Sequence, residues 1–220
     1  MKLKKIASLM LAGVMAVSML AGCSNEGGAS SEDQNNEATG VNAAAVIAAL
    51  DEDTTKNVTF SASSDLQKTL EDAIKVANGA ANEIKMADLQ KIDSDLNNVK
   101  LSTVADDTHY DAKELTEQSF AFVKTVGATN KNADDYTDKY IVNTLADAID
   151  EAIVTENSTA WKDLPLKSDE YTSNDDGSKF TVSFAYTAEV AVSTATSING
   201  DCIVYAVVNV TRTPTRVAAE

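Results

Sequence analysis

The sequence predicts an α+β fold in which a helical N-terminal two-thirds packs on a C-terminal antiparallel sheet. Three patterns support this prediction. Between residues 64 and 155, apolar side chains recur at spacings of three and four, as they do on amphipathic helices. Residues 179–198 instead alternate apolar and polar side chains, which is typical of a strand. Asn199-Gly200, a strong signal for a tight turn, then leads into a second Val- and Ile-rich strand at residues 201–212.

The stretch from residue 41 to about residue 98 is predicted to contain helices and one short strand. The alanine-rich residues 42–50 form a short helix, and residues 56–61 suit a short strand. An amphipathic helix begins at Ser64 and pauses near Gly79. Because the apolar spacing restarts at Ile84, we expect a second helix there rather than one continuous rod.

Two more helices are predicted before the sheet. Asp111 and Glu114 have the spacing of a capping box, which would open a helix that ends at Gly127. A longer amphipathic helix runs from about residue 138 to residue 155. Three acids of this helix are expected on its solvent face: Asp147, Asp150 and Glu151.

The two C-terminal strands are predicted to form a long hairpin. A two-residue turn at Asn199-Gly200 pairs residues whose numbers sum to 399, which places Val192 opposite Val207. Both faces of this hairpin are largely apolar, so helices are expected to cover one face and another layer or a partner the other. An edge strand near residues 166–172 would complete a three-stranded meander.

The first 23 residues carry the most specific functional signal of the sequence. Three lysines precede an apolar stretch at residues 6–20, and the small pair Ala21-Gly22 then precedes Cys23. This stretch of roughly 15 apolar residues is too short to cross a membrane, which takes about 20. The segment resembles the signal peptide of bacterial lipoproteins, a resemblance that covers residues 1–23 alone. It implies cleavage between Gly22 and Cys23 and lipidation of the Cys23 thiol.

The resemblance implies a three-part organisation. Residues 1–22 are the signal peptide, residues 23–40 are the lipidated cysteine and a polar tether, and residues 41–220 are a single α+β domain. The protein is then expected on the outer face of the cytoplasmic membrane. Lysine-rich and arginine-poor usage favours a Gram-positive source, since the only arginines are Arg212 and Arg216.

The charge and the cysteine content limit the functions and the stabilising bonds that this chain can have. Removal of three lysines with the signal peptide moves the formal charge from −16 to −19. A chain this acidic is not expected to bind nucleic acid, and it would be repelled by an anionic membrane or wall polymer. Lipid is therefore the expected anchor. With Cys23 lipidated, no internal disulfide is expected, and Cys202 is predicted to be a small buried residue in a strand.

No catalytic residue is assigned from the sequence. The single histidine, His109, lies among the acids Asp106, Asp107 and Asp111. A hydrolytic or metal site that uses His109 therefore remains an alternative. No nucleophile elbow, phosphate-binding loop, paired-cysteine zinc motif or HExxH motif is present in the sequence.

Two sets of binding candidates remain. The first is an acidic turn that could take calcium, although its alignment with an EF-hand loop puts Thr172 and Ser183 where carboxylates are required. Its members are Asp169, Glu170, Asp175 and Asp176. The second is a set of aromatic residues near predicted element ends, which could form a platform for a sugar or a peptide. Its members are Tyr136, Tyr140, Trp161 and Tyr171.

The leading hypothesis is a lipid-anchored, non-catalytic binding or accessory protein of the cell envelope. It would bind an envelope protein or polymer through its acidic helical face or its hairpin. One alternative is an envelope hydrolase that uses His109 with nearby carboxylates. A second alternative is a small solute-binding lipoprotein.

Overall fold

A mixed sheet of five strands lies at the centre of the described part of the chain. The structure is a computed structural model, and it describes residues 40–80, 82–98, 116–127, 133, 136–154, 166–168, 170–173, 176–196 and 202–218. The chain divides into two units, residues 1–36 and 37–220, and every described residue belongs to the second. The strands are β1 (Val58–Ala62), β2 (Gln118–Val126), β3 (Tyr171–Thr172), β4 (Lys179–Thr196) and β5 (Cys202–Ala218).

Strand β4 organises the sheet because three other strands pair with it. The strand order is β1-β4-β5-β2, and β3 also pairs with β4. β1 runs parallel to β4, whereas the remaining pairs are antiparallel. The antiparallel run of β3, β4 and β5 confirms the predicted meander, and the α+β class is confirmed with it.

The hairpin of β4 and β5 is present, but its predicted register is wrong by one residue. Paired residues have numbers that sum to 398, so Val192 lies opposite Ala206 rather than Val207. This pairing is incompatible with the two-residue turn at Asn199-Gly200 that we expected, and residues 197–201 lie outside the described residues. A shift of one residue in the pairing turns the side chains of one strand to the opposite face of the sheet. Because both faces of this hairpin are apolar, the hydrophobic pattern alone does not select the register.

Five helices are present in the described residues, and four of them match the predicted ones. Asn42 caps the first helix by accepting a hydrogen bond from the amide of Ala45, and Ser63 caps the third in the same way. Asn78 ends the third helix in a left-handed conformation. None of these helices is long and apolar enough to cross a membrane. They are α1 (Ala43–Ala48), α2 (Glu52–Thr55), α3 (Ser64–Ala77), α4 (Met86–Ile92) and α5 (Asp138–Val154).

Helices pack against both faces of the sheet. Helices α1 and α5 pack on the face formed by the even-numbered residues of β4 and β5. Helices α3 and α4 pack on the opposite face, against residues such as Ala191, Tyr205 and Val207. The second layer that we expected on that face is therefore also helical. Around Ala191 and Val207 the sheet needs cover on both faces because apolar side chains lie on each of them.

The short strand predicted at residues 56–61 is confirmed by β1, but the predicted helical N-terminal two-thirds is wrong, because β2 lies within it. Residues 118–126 form a strand where the sequence analysis placed a helix, while the proposed capping residues Asp111 and Glu114 lie outside the described residues. Phe120, Phe122 and Val126 lie two and four residues apart on one face of the strand, so the period of a strand is present, but Lys124 interrupts it. The capping motif outweighed this incomplete signal.

Gly127 ends β2 rather than a helix. Its φ is +86°, a conformation that favours glycine. A Cβ at this position would lie 2.6 Å from the carbonyl oxygen of Cys202. The glycine therefore allows the end of β2 to approach the start of β5 closely.

Candidate functional site

The two faces of the long hairpin are covered unequally. Every even-numbered residue of β4 from 180 to 192 is buried. On the odd-numbered face, α3 and α4 bury Ala191 and Ala195, but Ser183, Ala185 and Thr187 are exposed. The helical layer on this side therefore stops partway along the strands. Half of one sheet face is left open to solvent.

The open half is lined almost entirely by hydroxyl side chains, and we call it the hydroxyl face. One row across four strands consists of hydroxyl residues alone: Thr59, Thr187, Thr211 and Ser119. All members of the face are exposed or half-buried, and all but two carry a hydroxyl group. They are Thr59, Ser61, Ser119, Thr181, Ser183, Ala185, Thr187, Thr211, Thr213, Thr215 and Val217.

The geometry of the sheet spaces these groups regularly. Residues on one face of a strand repeat every two positions, or about 6.7 Å, and neighbouring strands lie about 4.8 Å apart. Thr215 lies opposite Ser183, and Thr213 lies opposite Ala185, so the array continues along the ribbon of β4 and β5. Rigid strands thus hold a two-dimensional grid of hydroxyl and methyl groups.

Charged groups lie only at the borders of the hydroxyl face. Among the strand residues on this side of the sheet, Lys179 and Glu189 are charged, and they lie at opposite ends of the array. The exposed Lys167, which forms an isolated bridge with Ser183, adds a lysine at the edge of β4. The Nζ atom of Lys179 is 2.7 Å from Oε1 of Glu170. At the edge, the hydroxyl of Thr213 donates to Oε2 of Glu117 at 3.0 Å. The centre of the face is uncharged in a chain whose formal charge is −16.

Two of the four aromatic candidates meet at the start of α5. The rings of Tyr136 and Tyr140 stack with centroids 4.6 Å apart and an angle of 18° between their planes. Tyr140 is 51% exposed, while Tyr136 packs against the core. Tyr171 is buried beside Phe180, so its assignment to an exposed platform is corrected: its ring fills the core instead. Trp161 lies outside the described residues.

The described carboxylates of the acidic turn interact with neighbouring residues. Glu170 pairs with Lys179, as described above. The hydroxyl and amide of Ser178 donate to Oδ1 of Asp176 at 2.7 and 3.0 Å, and these hydrogen bonds lower the pKa of Asp176 to about 2. Within the described ranges, no group of three or more His, Cys, Asp or Glu is arranged to hold a metal ion. Asp169 and Asp175 lie outside those ranges.

Asp150 is a buried acid that the sequence analysis wrongly placed on the solvent face of its helix. It is 9% exposed, and its Oδ2 accepts a hydrogen bond of 3.0 Å from the amide of Asp51. Burial raises the pKa of Asp150, and the carboxylates of Asp51 and Asp147 raise it further. The nearby hydroxyl of Thr54 opposes this shift. Even so, Oδ1 of Asp150 and Oγ1 of Thr54 each fall short of a hydrogen bond within the described structure.

A wider apolar stripe on α5 would have identified Asp150 as buried. Val142 and Ala146 are buried as well as the predicted Ile149 and Ile153. Asp150 lies eight residues after Val142 and four after Ala146, so it shares their side of the helix. The predicted stripe omitted these two residues and therefore put Asp150 on the wrong face.

Arg212 is a second buried charged residue whose environment the sequence analysis did not predict. Its side chain is 7% exposed, and its Nη2 donates to Oε1 of Gln118 at 2.7 Å. The guanidinium lies 5.0 Å from the centroid of the Phe184 ring, which is a cation–π distance. Beside it, burial raises the pKa of Tyr186 to about 12, against the opposing effect of Arg212. These contacts make Arg212 part of the core.

The residues with the sharpest sequence signals lie outside the described structure. They are the lipidation and cleavage residues Gly22 and Cys23, and His109 with its neighbouring acids. Cys202 is described, and it is buried in β5 as predicted. Comparison with known proteins found no matching family model, no similar curated protein and no similar solved structure.

Proposed function

We propose that this protein is a lipid-anchored, non-catalytic binding protein of the bacterial envelope, and that it binds its ligand through the hydroxyl face. The observation that carries the binding role is the open half of the sheet. The opposite face of β4 is buried from residue 180 to residue 192. An ordered sheet surface that the fold leaves uncovered on one side is available for a partner.

The anchoring part of the proposal rests on the sequence of residues 20–23. A lipidated Cys23 with two or more acyl chains would attach stably, whereas a single chain gives only marginal binding. As a flexible coil, the 17 residues 24–40 would span about 20–25 Å, enough to lift a domain off the lipid headgroups. The acidic surface gives no electrostatic attraction to an anionic membrane, so the lipid has to supply the affinity.

Replacement of the modified cysteine tests the anchor. We expect Cys23→Ala to move the protein from the membrane fraction to the soluble fraction, because no acyl chain can then be attached. The measurement is fractionation of cells that express the full chain, with metabolic labelling by a fatty acid. Cys202→Ala is the matched control, since Cys202 is buried in β5 and should keep both label and membrane association. Membrane retention of Cys23→Ala would contradict the anchoring proposal.

The hydrolase alternative makes a separate prediction. If His109 acts with nearby carboxylates, the full chain should cleave peptidoglycan or simple ester or peptide substrates. His109→Ala should then abolish that activity without loss of folding. An activity with this dependence would replace the binding-only proposal.

A further inference from the structure

We propose that the ligand of the hydroxyl face is an uncharged, extended glycan chain. This inference rests on the proposed function, because it names the ligand class for the same surface. Threonine presents a hydroxyl group that both donates and accepts hydrogen bonds, beside a methyl group. A sugar ring presents the same two kinds of group, hydroxyls at its rim and C–H groups on its faces.

The absence of charge at the centre of the face selects against ionic ligands. Lys179 is at one end of the array and is paired with Glu170, and Lys167 lies at its edge opposite Ser183, so no described cation lies among the hydroxyl rows of the four strands. A polymer that carries phosphate or carboxylate groups along its length would therefore lose hydration over most of the face and meet one lysine at its edge. It would also meet the repulsion of a chain whose formal charge is −16. An uncharged polymer avoids both costs.

The regularity of the array favours an extended polymer over a compact molecule. The hydroxyl row from Thr59 to Ser119 crosses four strands, and the ribbon of β4 and β5 continues it in the other direction. A chain of repeated sugars can place equivalent groups along such a grid. A small solute would contact only a few of these positions.

A protein partner is less well matched to this surface. Energetically dominant residues of protein interfaces are enriched in Trp, Tyr and Arg, whereas Ser and Thr are under-represented. No aromatic residue or arginine is among the members of the hydroxyl face. The same composition argues against a second copy of this chain as the occupant. We therefore favour a glycan.

Binding to insoluble polysaccharides tests the proposal. The full-length protein, purified in detergent micelles, is sedimented with cellulose, chitin or β-1,3-glucan, and with carboxymethyl cellulose as the charged counterpart of cellulose. We expect the protein to sediment with at least one uncharged polymer and not with the charged one. The double variant Thr187→Val with Thr215→Val removes two exposed hydroxyls and keeps the side-chain shape and the β-strand propensity at both positions. It should weaken binding about tenfold.

A control pair on the same strand distinguishes an effect at the hydroxyl face from a general effect of replacing threonine with valine. Thr194 and Thr196 are exposed on the even-numbered side of β4, so Thr194→Val with Thr196→Val should leave the affinity unchanged. Failure to sediment with any uncharged polymer, equal losses in the two variants, or preference for the charged polymer would overturn the glycan assignment. So would a dimer in light scattering that Thr187→Val with Thr215→Val dissociates. Each of these outcomes is independent of the Cys23 fractionation, so the anchor can stand when the ligand class fails.

Discussion

At the residue scale, the buried carboxylate of Asp150 makes the stability of the fold depend on pH. Its carboxylate holds the amide of Asp51 through Oδ2, while Oδ1 lies near the hydroxyl of Thr54 without completing a hydrogen bond. Burial disfavours the charged form, so the pKa of Asp150 is raised above its ordinary value of 3.8. The folded state therefore binds this proton more tightly than the unfolded chain. The ionised carboxylate destabilises the fold at neutral pH, and this penalty disappears as the pH falls through the raised pKa.

We expect Asp150→Asn to raise the free energy of unfolding at neutral pH by about 1 kcal/mol, the net value of one added hydrogen bond. The amide keeps an acceptor for Asp51 and adds a donor toward Thr54. The gain should shrink as the pH is lowered from about 7 to about 4, because Asp150 becomes protonated in the wild-type protein. Urea unfolding at several pH values measures this gain in the free energy of unfolding. Exposed Asp95→Asn is the control, and a gain that stays constant with pH would contradict the explanation.

Tyr205 is the buried polar group that fastens the turn between α3 and α4 to the sheet. Its side chain is fully buried, and its hydroxyl donates to the carbonyl oxygen of Gly79 at 2.6 Å. The oxygen of the Tyr205 hydroxyl also accepts a hydrogen bond of 3.4 Å from the amide of Ile84. A phenylalanine at this position would leave both backbone groups without that partner.

Tyr205→Phe is therefore expected to lower the free energy of unfolding by about 1–3 kcal/mol, the cost of buried groups that lose their partner. Urea unfolding with an unchanged m-value would report it. Tyr140→Phe provides the comparison, because Tyr140 is half-exposed and should lose less than about 0.5 kcal/mol. Equal losses in the two variants would mean that the Tyr205 hydroxyl contributes little.

At the scale of elements, sequence periodicity predicted helices and long strands well but failed where another local signal competed. Helices α3 and α5 follow from the spacing of their apolar residues, and β4 follows from its alternation. In β2, a capping motif upstream outweighed an alternation that Lys124 interrupts. The register of the hairpin was missed because a two-residue turn was assumed, which the observed pairing excludes.

The register can be tested with the native cysteine. Thr196 lies directly opposite Cys202, and opposed residues of antiparallel strands have Cα atoms about 4.5–5.5 Å apart, within disulfide range. We expect Thr196→Cys to form a disulfide with Cys202 under oxidation, detected by mass spectrometry of the linked peptides. Under the alternative register, Ser197 would lie opposite Cys202, so Ser197→Cys is the matched variant. More efficient linkage through position 197 would contradict the observed pairing.

At the scale of the whole molecule, the unequal covering of the sheet is the feature with functional consequences. Helices α1 and α5 cover one face, whereas α3 and α4 cover only part of the other. The result is a rigid surface that is uncharged at its centre, on an acidic chain with a formal charge of −16. A lipid on Cys23 and a polar tether would hold this surface away from the membrane while it contacts an envelope polymer.

The sequence alone determined those properties that depend on near neighbours in the chain. These are the amphipathic helices, the alternating strands of the hairpin, the acidity, and the resemblance of residues 1–23 to a lipoprotein signal peptide. Tertiary structure alone decided the register of β4 with β5, the hydrogen bond between Asp150 and the amide of Asp51, and the exposure of the hydroxyl face. Each of these depends on which distant segment packs against a given face. Local periodicity specifies that a face is apolar or polar, but only the packed chain specifies what covers it.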